Sequence, residues 1–143
     1  MDNTQQQINE QVDKCAKIAV EAHDGQYRRD NKTPYIEHCY AVASRVKYFG
    51  DKYVCVALLH DVLEDTKTDA HDLLNAGIYE DVVVAVQILT KHPSRSYDEY
   101  LKLVKLNDLA RHVKIADMLS NLSDSPTIKQ IRKYATGLLF LTE

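Results

Sequence analysis

The chain has 143 residues, a length that predicts one domain over 1–143 with a hydrophobic core that needs no staples. Eighteen basic against 21 acidic residues give a net charge of −3, which argues against the strong basic footprint of a nucleic-acid-binding domain. Four Gly and three Pro leave little turn chemistry for a many-stranded β fold, and the odd set Cys15, Cys39 and Cys55, with no CxxC spacing, indicates neither a disulfide framework nor a zinc knuckle. No window approaches the ~18 apolar residues of a membrane span, and the opening MDNTQQQINE has no basic or apolar signal region. The expectation is a chain without membrane or nucleic-acid partners in a reducing, cytoplasmic setting.

Hydrophobic spacing is helical almost throughout. Over 5–23, Ile8, Val12, Cys15, Ala19 and Ala22 share one stripe, and the polar, basic DGQYRRDNKT follows as a loop. Thr33-Pro34 reads as an N-cap and first helical residue, opening a helix to about Tyr48 that Gly50 stops. Asp51 caps YVCVALLHDVLED, whose nearly unbroken apolar run predicts a central buried helix; a strand is the competing reading for YVCVALL. Asp69 to Ala76 is a short helix ended by Gly77, and YEDVVVAVQILTK is another whose β-branched centre is explained by burial. After the KHPSRS loop come SYDEYLKLV, then NDLARHVKIADMLSNLSD capped by Asn107, then TIKQIRKYATGLLFL opened by Ser125-Pro126. Eight helices without a secure strand predict an all-α bundle.

The chemistry concentrates at LLHDVLED. On a helix, Glu64 falls one turn beyond His60, and Asp65 one turn beyond Asp61. Burying such groups unpaired costs several kcal/mol, and a divalent metal would compensate; a helix end facing water is the bland alternative. Two further segments offer ligands: His38 in TPYIEH, and Asp117 in VKIADMLSN with Asn121 one turn on. A mixed nitrogen and oxygen set suits manganese, iron or zinc better than calcium, and the lack of thiolates argues against structural zinc. Arg28, Arg29 and Lys32 precede the His38 segment, where phosphate contact is a reasonable use for them. His23 reads as a structural histidine before a ligand, His71, His92 and His112 as surface residues, Cys39 as packing, and Tyr97 and Tyr100 as core, with stacking on a base the alternative. Lys114, one turn before Asp117, could meet a phosphate or snorkel.

The series AHDGQYRR, TPYIEH, LLHDVLEDT and VKIADMLSN resembles the HD-domain phosphohydrolases, above all the hydrolase domain of RelA/SpoT-type enzymes and the small alarmone hydrolases, from about residue 15 to 125. The resemblance implies an α-helical fold with one metal, usually manganese, on His38, His60, Asp61 and Asp117. It makes Glu64 and Asp65 the pair that positions or activates water, and Arg28 and Asn121 the substrate contacts, with Arg29 competing with Arg28. It implies hydrolysis of guanosine tetra- or pentaphosphate at the 3′-pyrophosphate; another nucleotide substrate, or a binding module without turnover, stands as the alternative. Met118 replaces a basic residue common in alarmone hydrolases, and Ser120 a His or Tyr, both departures beside the expected pocket. Nothing within the 143 residues resembles the synthetase domain of the long enzymes.

Overall fold

The computed structural model describes residues 3–143, apart from the side chains of residues 3–5, 8 and 9; Ile8, placed on the first apolar stripe, lies outside the described residues. Among the described residues the elements are α1 (Asn3–Ala22), α2 (Ile36–Val46), a 3-10 turn (Lys47–Phe49), α3 (Asp51–Leu59), α4 (Val62–Asp65), α5 (Ala70–Asn75), α6 (Glu80–Leu89), α7 (Tyr97–Leu106), α8 (Asp108–Leu122) and α9 (Ile128–Thr142). No strand occurs among them; Tyr27 and Pro34 form an isolated bridge. The fold is all-α, and none of these helices is long and apolar enough to cross a membrane.

The apolar run that could have read as a strand is α3, and it lies at the centre. Cys55, Val56, Ala57, Leu58 and Leu59 are buried on all sides because α1, α2, α6 and α8 each pack against it. The β-branched centre of α6 is tolerated for the same reason: Val82, Val83 and Val86 are fully or almost fully buried, and packing outweighs their weak helix propensity. On α1, Cys15 and Ala19 are wholly buried on the predicted stripe.

Several termini differ from the sequence reading. Thr33 does not cap: its hydroxyl donates to Asp30 Oδ2 (2.6 Å), closing the basic loop on itself, and α2 starts at Ile36. Gly50 (φ 130°) is the N-cap of α3, and Asp51 is its first residue. The last helix is opened by Thr127, in a capping box with Gln130, while Ser125 sits in the left-handed region (φ 46°). Asp69 and Asn107 do cap α5 and α8 through Asp72 and Ala110 N–H groups.

The largest difference is a break at His60-Asp61. The helix predicted through LLHDVLED stops at Leu59 and resumes at Val62, which makes nine α-helical segments among the described residues where eight were expected. Asp61 takes φ −105°, ψ 0°, the sparsely populated bridge region where active-site residues are often found. In an unbroken helix neighbours diverge by ~100°; the break lets His60 and Asp61 face one point. Contacts of α2 with both α3 and α8 bring His38 and Asp117 to that same point.

Candidate metal centre and substrate cleft

His38, His60, Asp61 and Asp117 each offer a ligand atom, and these atoms lie within 4.8 Å of one another. His38 Nε2 is 2.8 Å from Asp117 Oδ1 and 4.0 Å from Asp61 Oδ2. His60 is oriented by its backbone: Nδ1 donates to the Ala57 carbonyl (2.6 Å), which leaves Nε2 facing the cluster. That nitrogen is 2.9 Å from Asp61 Oδ2 and 3.5 Å from Asp117 Oδ1, yet neither contact has hydrogen-bond geometry, and Nε2 is buried without a partner. A neutral imidazole has its lone pair there, and a lone pair turned on two carboxylates is repulsive unless a proton or a metal cation lies between them. Bonds of about 2.0–2.2 Å to a first-row cation put opposite donors about 4.0–4.4 Å apart, so the four residues fit a divalent metal after closing by a few tenths of an ångström.

Electrostatics favour the ligand forms of the acids. Burial works against the Asp117 carboxylate, but Lys114 (Nζ to Oδ2, 3.0 Å) and the two histidines hold it well below the usual carboxylate range. Burial likewise opposes Asp61, which His60 and the Tyr35 hydroxyl (2.6 Å) bring down to about 2. Burial also disfavours a charged His60, yet Asp61 and Asp117 raise it well above its ordinary value, so proton and metal compete for one nitrogen. Tyr35, which donates to Asp61, is pushed far upward by burial and by Asp61, and so remains a neutral donor. The Tyr35 contact is not evident from spacing, although the tyrosine lies within the quoted TPYIEH; Lys114 stands one turn before Asp117, and the structure turns its ammonium onto that carboxylate.

The carboxylate pair stands on α4, which directly follows His60 and Asp61 in the chain. Glu64 is exposed; its Oε1 accepts from the Lys91 N–H (2.8 Å), and it lines a cleft of about 740 Å³ with Lys91, His92 and Arg95. Asp65 is exposed at the end of α4, and partial burial followed by the charges of Asp61 and Glu64 raises its pKa. The basic loop divides. Arg28 turns inward, donating to Asn121 Oδ1 and Asp124 Oδ2 (both 3.1 Å) with its guanidinium 5.7 Å from the Tyr35 ring. Asn121 in turn donates to Asp117 Oδ1 (3.2 Å). Arg29 instead bonds Gln130 and the Asp124 carbonyl, and Lys32 is exposed, engaging Asp30 through its backbone N–H. The structure therefore joins Arg28 and Asn121 to the cluster, and leaves Arg29 and Lys32 outside it.

The remaining residues sort by contact. His23 is buried, with Nδ1 2.8 Å from Gln26 Oε1 and its ring 4.9 Å from that of Tyr35. Cys39 is buried and its thiol is pushed up to about 11, which makes it inert packing. Tyr100 is core, bonded to the Leu89 carbonyl. His112, expected at the surface, is half-buried against Phe49 and Tyr53. The two departures in VKIADMLSN face away from the cluster: Met118 packs over Gly137 of α9, where an added Cβ would come within 2.7 Å of Met118 Cε, and Ser120 Oγ accepts from Arg45 (2.9 Å).

A family model described as HD domain matches residues 15–135, and the chain belongs to the HD domain family. Within the curated proteins it is similar to guanosine-3′,5′-bis(diphosphate) 3′-pyrophosphohydrolase MESH1 of Xenopus tropicalis, 36% identical over 121 residues that cover 77% of this chain and 66% of that one. The Drosophila melanogaster protein of the same name is 31% identical over 120 residues, with the same two coverages. A solved structure described as a metazoan ortholog of SpoT that hydrolyses ppGpp matches with a TM-score of 0.73 at 26% identity, covering 92% of this chain and 84% of that chain. The chain thus spans just under two thirds of the length of these MESH1 relatives, at 66%.

Proposed function

We propose that this protein is a metal-dependent phosphohydrolase that cleaves the 3′-pyrophosphate from guanosine tetra- or pentaphosphate (ppGpp or pppGpp), releasing GDP or GTP and pyrophosphate. The observation that carries the proposal is the buried His60 Nε2, unpartnered and facing the carboxylates of Asp61 and Asp117. The similarity to the MESH1 relatives, named as 3′-pyrophosphohydrolases of guanosine-3′,5′-bis(diphosphate), supports this choice of substrate. His38, His60, Asp61 and Asp117 would hold one divalent cation, manganese in our assignment, which supplies Lewis acidity toward water and phosphoryl oxygens.

Glu64, its carboxylate fixed by the Lys91 N–H, takes a proton from the attacking water. The water oxygen bonds to the phosphorus as the P–O bond to the ribose 3′-oxygen breaks, and Asp65, next to Glu64 on α4, passes a proton to that leaving oxygen. Arg28 offers a planar cation to the phosphate oxygens, pre-oriented by Asn121, Asp124 and the face of Tyr35. Asn121 is left with amide valences for the nucleoside. The cleft of about 740 Å³ beside Glu64 is lined by none of the four cation-holding residues and by neither Arg28 nor Asn121, so it adjoins the reaction through Glu64 alone.

The test is incubation of the purified protein with ppGpp and manganese, beside a panel of other nucleotides, with chromatographic identification of products. GDP and pyrophosphate are the expected products. Inertness toward ppGpp together with cleavage of another nucleotide would overturn the substrate and keep the reaction class.

A further inference from the structure

Starting from Lys114, one turn before Asp117, α7, α8 and α9 present a second group of cations and phenols that the mechanism above does not use. Lys114, on α8, has its ammonium 5.6 Å from the Tyr100 ring centroid. Tyr100 and Tyr97 of α7 are neighbours, with ring centroids 5.9 Å apart. Lys133 of α9 closes the row, its ammonium 4.5 Å from the Tyr97 ring and 5.8 Å from that of Tyr134. Contacts thus run without a gap from the ligand Asp117 outward to Lys133.

Three features make this row a binding surface. Tyr97 Oη is buried and has no hydrogen-bond partner. Lys133 has no carboxylate within 4.0 Å among the described residues, while Lys114 has its own in Asp117. Partial burial and the charge of Lys114 both disfavour the Lys133 ammonium, a tension that an incoming anion would relieve. Although Lys133 is exposed, its ammonium is laid over the rings of Tyr97 and Tyr134.

We infer that Lys133 and the Tyr97 hydroxyl, backed by the positive field of Lys114, form a second anion subsite that holds the diphosphate of the nucleotide that is not cleaved. The inference rests on the nucleotide reading above and deepens it. Arg28, through Asn121 one turn after Asp117, and the metal ligands meet the scissile group; the row that starts at Lys114, one turn before Asp117, leads outward to Tyr97 and Lys133, which receive the other phosphorylated end. Recognition of two separated diphosphates selects a nucleoside phosphorylated at both ends over one phosphorylated at a single end. Lys133 is thereby a specificity residue.

The test compares two substrates, guanosine 3′-diphosphate 5′-diphosphate and guanosine 3′-diphosphate with a free 5′-hydroxyl, in wild type, Lys133→Ala, Lys133→Arg and Tyr97→Phe. Lys133→Ala should raise KM about tenfold for the doubly phosphorylated substrate, as loss of a charged hydrogen bond does, with kcat unchanged. KM for the 5′-hydroxyl substrate should not move, Tyr97→Phe should act in the same direction, and Lys133→Arg should restore binding. Equal effects on both substrates, or none on either, would overturn the subsite. If wild type turns over neither substrate, calorimetry of inorganic pyrophosphate binding to metal-free protein decides the matter. Weaker binding in both Lys133→Ala and Tyr97→Phe supports the subsite, and unchanged binding refutes it.

Discussion

Removing Asp117 should cost far more stability than removing an ordinary surface acid, and the excess should be traceable to Lys114. The Asp117 carboxylate accepts from His38 (2.8 Å), Lys114 (3.0 Å) and Asn121 (3.2 Å), and only 8% of its side chain is exposed. Asp117→Ala strands the Lys114 ammonium, itself only 16% exposed, without a counter-charge. Breaking a buried pair in this way costs about 3–5 kcal/mol, a large part of the roughly 5–15 kcal/mol that holds a domain folded. At this chain length that corresponds to a fall in Tm of roughly 10–17 °C. The assay is urea unfolding with EDTA present, so that metal makes no contribution. Lys114→Met in the Asp117→Ala background should return part of the loss, with a coupling energy of about 1–3 kcal/mol. The contribution is that of an acid with a depressed folded pKa: it is complete above the ordinary carboxylate value of about 3.9 and is lost as the pH falls toward the folded pKa. Losses that add to within ~0.5 kcal/mol in the double variant would show the two groups uncoupled and refute the reasoning.

Because the carboxylates raise the pKa of His60, metal uptake should displace a proton, and apparent affinity should climb about tenfold per pH unit until His60 is neutral. Calorimetry between about pH 5.5 and 8 measures this, and a flat profile contradicts it. Glu64→Gln should lower kcat by ~10²–10⁴-fold with metal content unchanged, as read by single-turnover assay and elemental analysis. Arg28→Ala should raise KM for ppGpp by about 10–100-fold, whereas Arg29→Ala, whose guanidinium bonds Gln130 and Asp124, should change it less than about twofold. Equal effects of the two arginines would place the loop wrongly.

The fold was legible because helical periodicity and caps are local signals. Asp69 and Asn107 cap where their side chains allow, and the apolar run of α3 is central as its continuity implied. The caps that failed did so through competition: Thr33 and Ser125 have cap chemistry, but Asp30 takes the Thr33 hydroxyl and Thr127 pairs with Gln130. The break at His60-Asp61 was invisible because nothing in LLHDVLED, neither Gly nor Pro, announces it. What turns the chain there is partly local, His60 bonding the Ala57 carbonyl three residues back, and partly tertiary, Asp61 being drawn to Tyr35 from the entry turn of α2. The four His and Asp residues could be named from motifs, and Lys114 stands one turn before Asp117 on α8, whereas the Tyr35–Asp61 bond emerges only once the turn before α2 packs against the break after α3. Arg28 and Arg29 are adjacent and chemically alike, so only the loop's conformation separates them.

The central claim is that His38, His60, Asp61 and Asp117 hold one divalent cation. Elemental analysis of chelator-stripped protein reloaded with manganese, for wild type and His60→Ala, tests it most directly. One manganese per chain in wild type and none retained by His60→Ala is the predicted result. Equal manganese in the two proteins would contradict the account.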